Sequence, residues 1–482
     1  MHIEYIKNDK SFADVIGSQY GYGRLVIYTE ESEINDSNVV DELNDALQYH
    51  MENVEAISYL DRYYRGDQPI LYRQKNVRPE INHKIVENHA LEIVDSKVAD
   101  LFGEPIQYVL ADNDDEDKVT QMNQLNRFMK SEDKAALDIK RGRWASICGT
   151  SYYYIGNENR MPKQFDEAPF FISVENPKRT FVVYYADDET PAFAVRIRHN
   201  KKGDLYYVYT QYYIYTIQDD EIINTAANGN DIIPVIEYPN NERRLSDIEI
   251  TIGLTDAINE MQSDRLNAID QFVQAFLLFK NCEIDKKTFE DLKLSGAIAV
   301  SNTGDGRDAD VKTLVSELSQ DGSQVSKDDL YNSLLTIQGM PSRQEATGGD
   351  TGQAVALRNG YYAEEKRAEL RIPIFQQSER MMLRVVLNKL RVNDNFSIGI
   401  SDIDIRPNRS KLENMMVKAQ VLQILHQIGV SDDVALKTVN LFSDVQDTYI
   451  KSKETMKEHF DSIVNKDSND TIEVNENDDS TV

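Results

Sequence analysis

From Asn38 to Arg65 the apolar residues Val39, Leu43, Leu47, Val54, Ile57 and Leu60 recur at steps of three and four, with Gly66 behind them. That spacing predicts an amphipathic helix with a glycine stop. The same period runs from His83 to Leu101 through Ile85, Ala90, Ile93, Val94 and Val98, ahead of Gly103 and Pro105. It predicts a second helix. An acidic loop over 111–118 precedes a helix predicted from Val119 to Cys148. From Ser151 to Tyr238 the period becomes two. Runs at Tyr152 and Tyr154, 170–174, 181–185, 192–197, 206–215 and 232–238 are β-branched and aromatic, and Asn, Gly, Asp and Pro separate them. They predict an antiparallel sheet.

Helical spacing returns after Asn240. Leu254, Ile258, Met261, Arg265, Ile269, Phe272 and Phe276 mark one face of a helix of roughly 25–30 residues, about 40 Å long at 1.5 Å per residue. Between Cys282 and Leu318 the strand candidates 297–300 and 311–315 flank a turn-rich stretch, 302–306. A helix from Lys327 to Gln338 ends at Gly339-Met340-Pro341, and the Gly-, Ser- and Thr-rich stretch 342–352 reads as a mobile loop. A long helical pattern from Gln353 to about Leu390 contains Pro373, which removes one backbone donor and predicts a kink. Phe396 to Ile405 alternates as a strand, 410–453 is helical, and the acidic stretch from Asp461 is expected to be disordered. Helices and strands in separate blocks make the fold class α+β.

The 482 residues allow roughly two to four domains. With 53 basic and 82 acidic side chains the net charge is −29. An average surface this acidic excludes general binding of nucleic acid by phosphate neutralisation. Two cysteines, Cys148 and Cys282, make no disulfide framework and suit a reducing compartment. Met1–Lys10 has no apolar core of a signal peptide, and the longest apolar stretch, 272–279, falls short of the ~20 residues a membrane span needs. The expectation is a soluble chain that starts in a cytoplasm, without a membrane.

Catalytic patterns mostly fail. The run 112–117 begins like a calcium loop but lacks the glycine at its sixth position, and Asn123 stands where the closing carboxylate belongs. Gly348 to Gly352 precedes a helix without the Gly-Lys-Ser/Thr of a phosphate loop. Asp402 and Asp404 share one face of a strand and could hold a divalent ion in a nuclease, but no third acid or lysine at useful spacing joins them. The seven histidines show no zinc spacing. The expectation is no enzyme, no cofactor and no metal.

The long helix with Pro373 is the most informative element. Arg358, Lys366, Arg367, Arg371, Arg380, Arg384 and Lys389 face Glu364, Glu365, Glu369 and Glu379, an excess of three positive charges in a chain of −29. Charged helices of this length point to packing between subunits, with ion pairs setting register.

Several motifs in order resemble the portal proteins of tailed bacteriophages, of the kind typical of long-tailed phages of Gram-positive hosts. They are Tyr63-Tyr64-Arg65-Gly66-Asp67, the run 82–94 leading into 98–106, Ile147-Cys148-Gly149, Ile232 to Val235 with Tyr238 to Asn241, the helix 246–279, Thr351 to Ala354, and Ile405 to Asn408. The resemblance covers roughly residues 38–455 and departs at Gly348-Gly349-Asp350, where relatives carry a larger polar or aromatic residue. It implies a homo-oligomeric ring of about twelve subunits at one capsid vertex, with long helices around a central channel. Its regions would be an N-terminal segment (1–37), a wing (38–245), a stem helix (246–281), a clip (282–318), a second stem helix (319–341), a tunnel loop (342–352), a kinked tunnel helix with a wing strand (353–409), a crown (410–460) and an acidic tail (461–482).

The implied function is passage of double-stranded DNA during packaging and ejection. The implied partners are the terminase large subunit, a head-tail adaptor, and major capsid and scaffolding proteins, in the virion and, during assembly, the host cytoplasm. Candidate residues are Arg343, Gly348, Gly349, Asp350, Thr351 and Arg358 at the tunnel loop, Pro373 at the kink, and Asp305, Arg307 and Asp308 on the clip. An acidic channel would let a duplex slide, with Arg343 and Arg358 as sparse cationic contacts. Two alternatives stand beside it: a head-tail connector or other structural ring protein, and a metal-dependent DNA-processing enzyme using Asp402 and Asp404.

Overall fold

The computed structural model describes residues 23–439 apart from 77, 112–114, 158–166, 202, 230, 274–275, 281–309, 315–319, 342–360, 395 and 408–414, together with 452, 453 and 455. In chain order the elements are β1 (Ile27–Thr29), α1 (Val39–Tyr64), α2 (His89–Phe102), β2 (Gln107–Leu110), α3 (Glu116–Ser131) and α4 (Lys134–Cys148). The strands β3 (Thr150–Gly156), β4 (Phe171–Glu175), β5 (Thr180–Tyr185), β6 (Pro191–Asn200), β7 (Gly203–Tyr209), β8 (Tyr213–Gln218), β9 (Glu221–Ala227) and β10 (Val235–Pro239) follow. Then come α5 (Ile252–Val273), β11 (Phe276–Lys280), β12 (Asp310–Leu314), α6 (Gln320–Gln338), α7 (Tyr361–Asp394), β13 (Ile403–Arg406), α8 (Met415–Gln427) and α9 (Asp432–Val439).

The chain divides into two compact units. One comprises residues 25–53, 96–244 and 368–482. Its larger sheet has the order β1-β5-β6-β7-β8-β9 and its smaller one β10-β3-β4, with β13 and β2 paired apart. The single antiparallel sheet expected over 151–238 is therefore two sheets, and β1 joins β5 in parallel, Ile27 opposite Val183. Three apolar layers hold this unit. Val39, Leu43 and Ala46 of α1 cover Phe181, Phe193, Val195 and Val208 of the larger sheet. Tyr152 and Val235 meet Val182, Ala194 and Tyr209 in a second layer. Tyr153 and Ile155 point to the opposite face of β3, as strand alternation requires, and pack with α3, β13 and the 382–390 stretch of α7. Burial on both faces explains the unbroken aromatic run.

The other unit comprises residues 1–24, 54–95 and 245–367. Its core is Ile93 of α2 and Ile258 of α5 against Leu334, Leu335 and Met340 at the end of α6.

Several boundaries differ from expectation. The helix expected from His83 starts at His89, because the backbone before it bonds to side chains of α5 instead. The helix expected over 119–148 breaks at Asp133, whose φ of 51° stands outside helical space. The helix expected to reach Phe279 stops at Val273, and Phe276–Lys280 pairs with Asp310–Leu314 as a hairpin. Of the strand expected over 396–405 only the end forms, Ile403–Arg406 against β2. α6 begins seven residues earlier than expected, at Gln320. α7 continues through Pro373 to Asp394. The strand candidate 297–300, residues 353–360 of the long helical pattern, the loop 342–352 and the tail from Asp461 lie outside the described residues.

Candidate functional site

The helix pair α5 and α6 carries the most organised polar chemistry of its unit. Along α5, Asn259, Ser263 and Asn267 stand four residues apart and are almost wholly buried. Each side-chain oxygen accepts a backbone N–H from an extended segment running the other way: Glu87 to Asn259 Oδ1 at 2.7 Å, Ile85 to Ser263 Oγ at 2.9 Å, and His83 to Asn267 Oδ1 at 2.8 Å. Alternate residues of an extended chain repeat every two steps, about 6.6 Å, close to the 6 Å rise of four helical residues. The helix thus offers acceptors at nearly the strand's own spacing.

More groups complete this strap. Arg73 Nη1 bonds Asp264 at 2.9 Å, His83 Nε2 lies 2.5 Å from Asp270, and Tyr63 donates its hydroxyl to Asp256 at 2.8 Å. Burial pushes the Asp256 carboxyl above its ordinary range, against the Tyr63 bond that lowers it. From α6, Lys327 reaches Glu87 at 2.7 Å and the Tyr331 hydroxyl reaches Glu92 at 2.8 Å. Burial would raise the Glu87 carboxyl, but Lys327, Gln262 and His89 together hold it below the usual range.

Among the described residues, three large apolar side chains of the pair are exposed. Leu266 of α5 is 39 % exposed, and Val325 and Ile337 of α6 are 69 % and 45 % exposed. An open groove of about 450 Å³ is lined by Ala257, Met261, Ala268 and Ser323 with the charged Glu260, Asp264 and Arg265.

The sequence did not single out Asn259, Ser263 and Asn267. The available signal was their four-residue repeat along the helix. The tunnel-loop candidates Arg343, Gly348, Gly349, Asp350, Thr351 and Arg358, and the clip candidates Asp305, Arg307 and Asp308, lie outside the described residues. Pro373 lies within α7. Asp402 is held by Lys118 Nζ at 3.0 Å and by the Gly399 N–H at 2.9 Å, and Asp404 faces Arg406 at 3.4 Å. Among the described residues no three His, Cys, Asp or Glu side chains gather as a metal site, and no helix is long and apolar enough to cross a membrane.

In the other unit two charged groups of the long helix turn inward. Glu379 is fully buried, 2.9 Å from Lys134 Nζ, and accepts the hydroxyls of Tyr238 at 2.7 Å and of Tyr108. Lys134 also binds Asp138 at 2.7 Å, and Tyr153 donates to Asp138 at 2.8 Å. The Arg141 guanidinium sits 4.2 Å from the Tyr238 ring centre and 4.7 Å from that of Phe102. Lys389 is 3 % exposed and donates to Asn157. Burial lowers its ammonium to about 8. One cation and one acid of the charged helix, Lys389 and Glu379, therefore lie inside the core of this unit, and their burial leaves the helix's excess of positive charge unchanged.

Comparison with known proteins bears on all of these elements. A family model described as phage portal protein, SPP1 Gp6-like, matches residues 44–464. A portal protein of Clostridium phage phiCD119 is 23 % identical over 347 residues, covering 67 % of this chain and 75 % of its own. Among solved structures, a chain from the virion of a native gene transfer agent particle has a TM-score of 0.45 at 13 % identity, covering 80 % of this chain and 93 % of its own. A chain from the neck of the native gene transfer agent particle, computed with C12 symmetry, has a TM-score of 0.43 at 13 % identity over 73 % of this chain and 89 % of its own.

Proposed function

The chain belongs to the phage portal proteins of the SPP1 Gp6-like family, and from that premise we propose that it forms a ring at one capsid vertex through which double-stranded DNA enters and leaves. The match over residues 44–464, nearly the whole chain, carries this reading. The exposed apolar side chains Leu266, Val325 and Ile337 are in keeping with it, since a ring gives each copy two neighbours that can cover such positions. In this assignment α5 and α6 are stem helices, the span 282–318 is the clip that docks the terminase and then a head-tail adaptor, and 342–352 is the tunnel loop. The sheets form the wing, and α8 and α9 belong to the crown. Asp305, Arg307 and Asp308 would meet the docking partners, and Arg343 and Arg358 would make the sparse contacts to the duplex.

Negative-stain images of the purified protein should show rings with a central opening, and phage lacking it should assemble heads that hold no DNA. Heads that fill normally without this protein would overturn the reading. Replacing Arg343 and Arg358 together by glutamine should change packaging or retention; unaltered filling would remove them from the channel.

A further inference from the structure

The end of α6 is fixed twice over. Leu334, Leu335 and Met340 sit in the core, and Gln338 Nε2 donates to the Asp247 carbonyl at 2.6 Å and to Thr251 Oγ1 at 2.8 Å. The helix closes when the Gly339 N–H bonds the Thr336 carbonyl at 3.1 Å and the Met340 N–H bonds that of Leu335 at 2.9 Å, with Gly339 at φ +64°. This is the left-handed glycine cap that satisfies the last carbonyls. The Ile337 carbonyl is taken by a group from much further along: Arg367 Nη1, thirty residues on, at 2.5 Å.

Arg367 also lies in the space a side chain at 339 would use. A Cβ there would stand 2.6 Å from Arg367 Cδ and 2.7 Å from Nη1. The glycine therefore serves two needs, the positive φ and room for the guanidinium. A cation on the carbonyl end of a helix is favoured by the helix dipole as well as by the bond.

We infer that Arg367 is a positioning residue, a clasp that ties the start of α7 to the capped end of α6 and so sets the two ends of the segment 342–360. Its consequence for DNA rests on the portal reading, in which the tunnel loop 342–352 follows on the clasped end of α6. The expected effect is local. Losing one hydrogen bond of ordinary net strength should raise the opening of the joined ends about fivefold.

Hydrogen exchange on the purified full chain tests the clasp. In Arg367→Ala the amides of Gly339, Met340 and residues 365–370 should exchange about fivefold faster, while the Ile85 amide, bonded to Ser263 of α5, keeps its rate. Arg367→Lys, which keeps charge but not the planar fork, should fall between. Gly339→Ala should loosen the same amides less in the Arg367→Ala background than in the wild type, because the clash is gone and only the φ strain remains. Unchanged rates in Arg367→Ala, or equal effects of Gly339→Ala in both backgrounds, would overturn the clasp. In phage, Arg367→Ala should form rings but lose packaged DNA faster; wild-type retention alongside altered exchange would remove its role at the channel. Heads that fill normally without this protein would strike the portal reading and leave the exchange result standing.

Discussion

Glu237 is enclosed on every side yet holds its charge, since Arg244 meets it with a two-pronged contact, Nε to Oε1 at 2.7 Å and Nη2 to Oε2 at 3.0 Å. Thr150 at 2.7 Å and Tyr184 at 2.5 Å add donors. Burial raises the carboxyl, but Arg244 and these hydroxyls outweigh it and the net shift is downward. A carboxylate with a depressed folded pKa gives stability that is complete above its unfolded pKa, about 4.3, and is lost as pH falls through the folded one. Glu237→Gln should therefore cost about 3–5 kcal/mol at pH 7, as removal of one partner from a buried pair does. Its urea midpoint should also fall less steeply than the wild type's below about pH 4.5. The cluster around Glu379 makes a parallel case. Lys134→Met leaves Asp138 and Glu379 buried without their shared cation, and urea unfolding should show a loss of about 3–5 kcal/mol. Neither residue's role was legible in the sequence. Glu379 sits in a strongly charged helical stretch, and its partners come from α4, β2 and β10, 141 to 271 residues away in sequence.

At the scale of elements, the sequence pattern located helices well where one face is apolar and failed where hydrogen bonding overrides period. α1 was legible almost to the residue because Val39, Leu43 and Leu60 are all core positions. The segment 83–88 was not. Ile85 keeps helical spacing with Ala90 and Ile93, yet its amide belongs to Ser263. Phe276–Lys280 continues the apolar face of α5 and becomes a strand only because 310–314 lies beside it; short apolar runs carry no period of their own to decide between the two. The ladder on α5 makes a direct prediction. Ser263→Ala removes the acceptor of a part-buried N–H and should destabilise the unit by about 1–3 kcal/mol, with Ile85 exchange accelerated before that of the sheets. Equal protection of Ile85 in variant and wild type would show that the strap is held by its other contacts alone.

For the whole molecule, the net charge of −29 sets the condition that any assembly of copies must meet. Copies so acidic repel one another, so a ring must gain its cohesion from apolar and shape-matched contact over the few faces that are not charged. In the proposed ring, Val325, the most exposed apolar residue described in the α5 and α6 pair, would lie on such a face. A ring contact is heterologous: each copy uses one patch toward one neighbour and a different patch toward the other. Val325→Glu should then break only one of the two. The expected result is a chain that melts within a degree or so of the wild type, because an exposed substitution barely touches the monomer core, but sediments as monomer. Mixed with wild type, it should still present its intact patch, cap growing arcs and shift them toward short open oligomers as its fraction rises. Full-size rings formed by Val325→Glu alone, measured by sedimentation velocity, would place the subunit contact elsewhere on the chain.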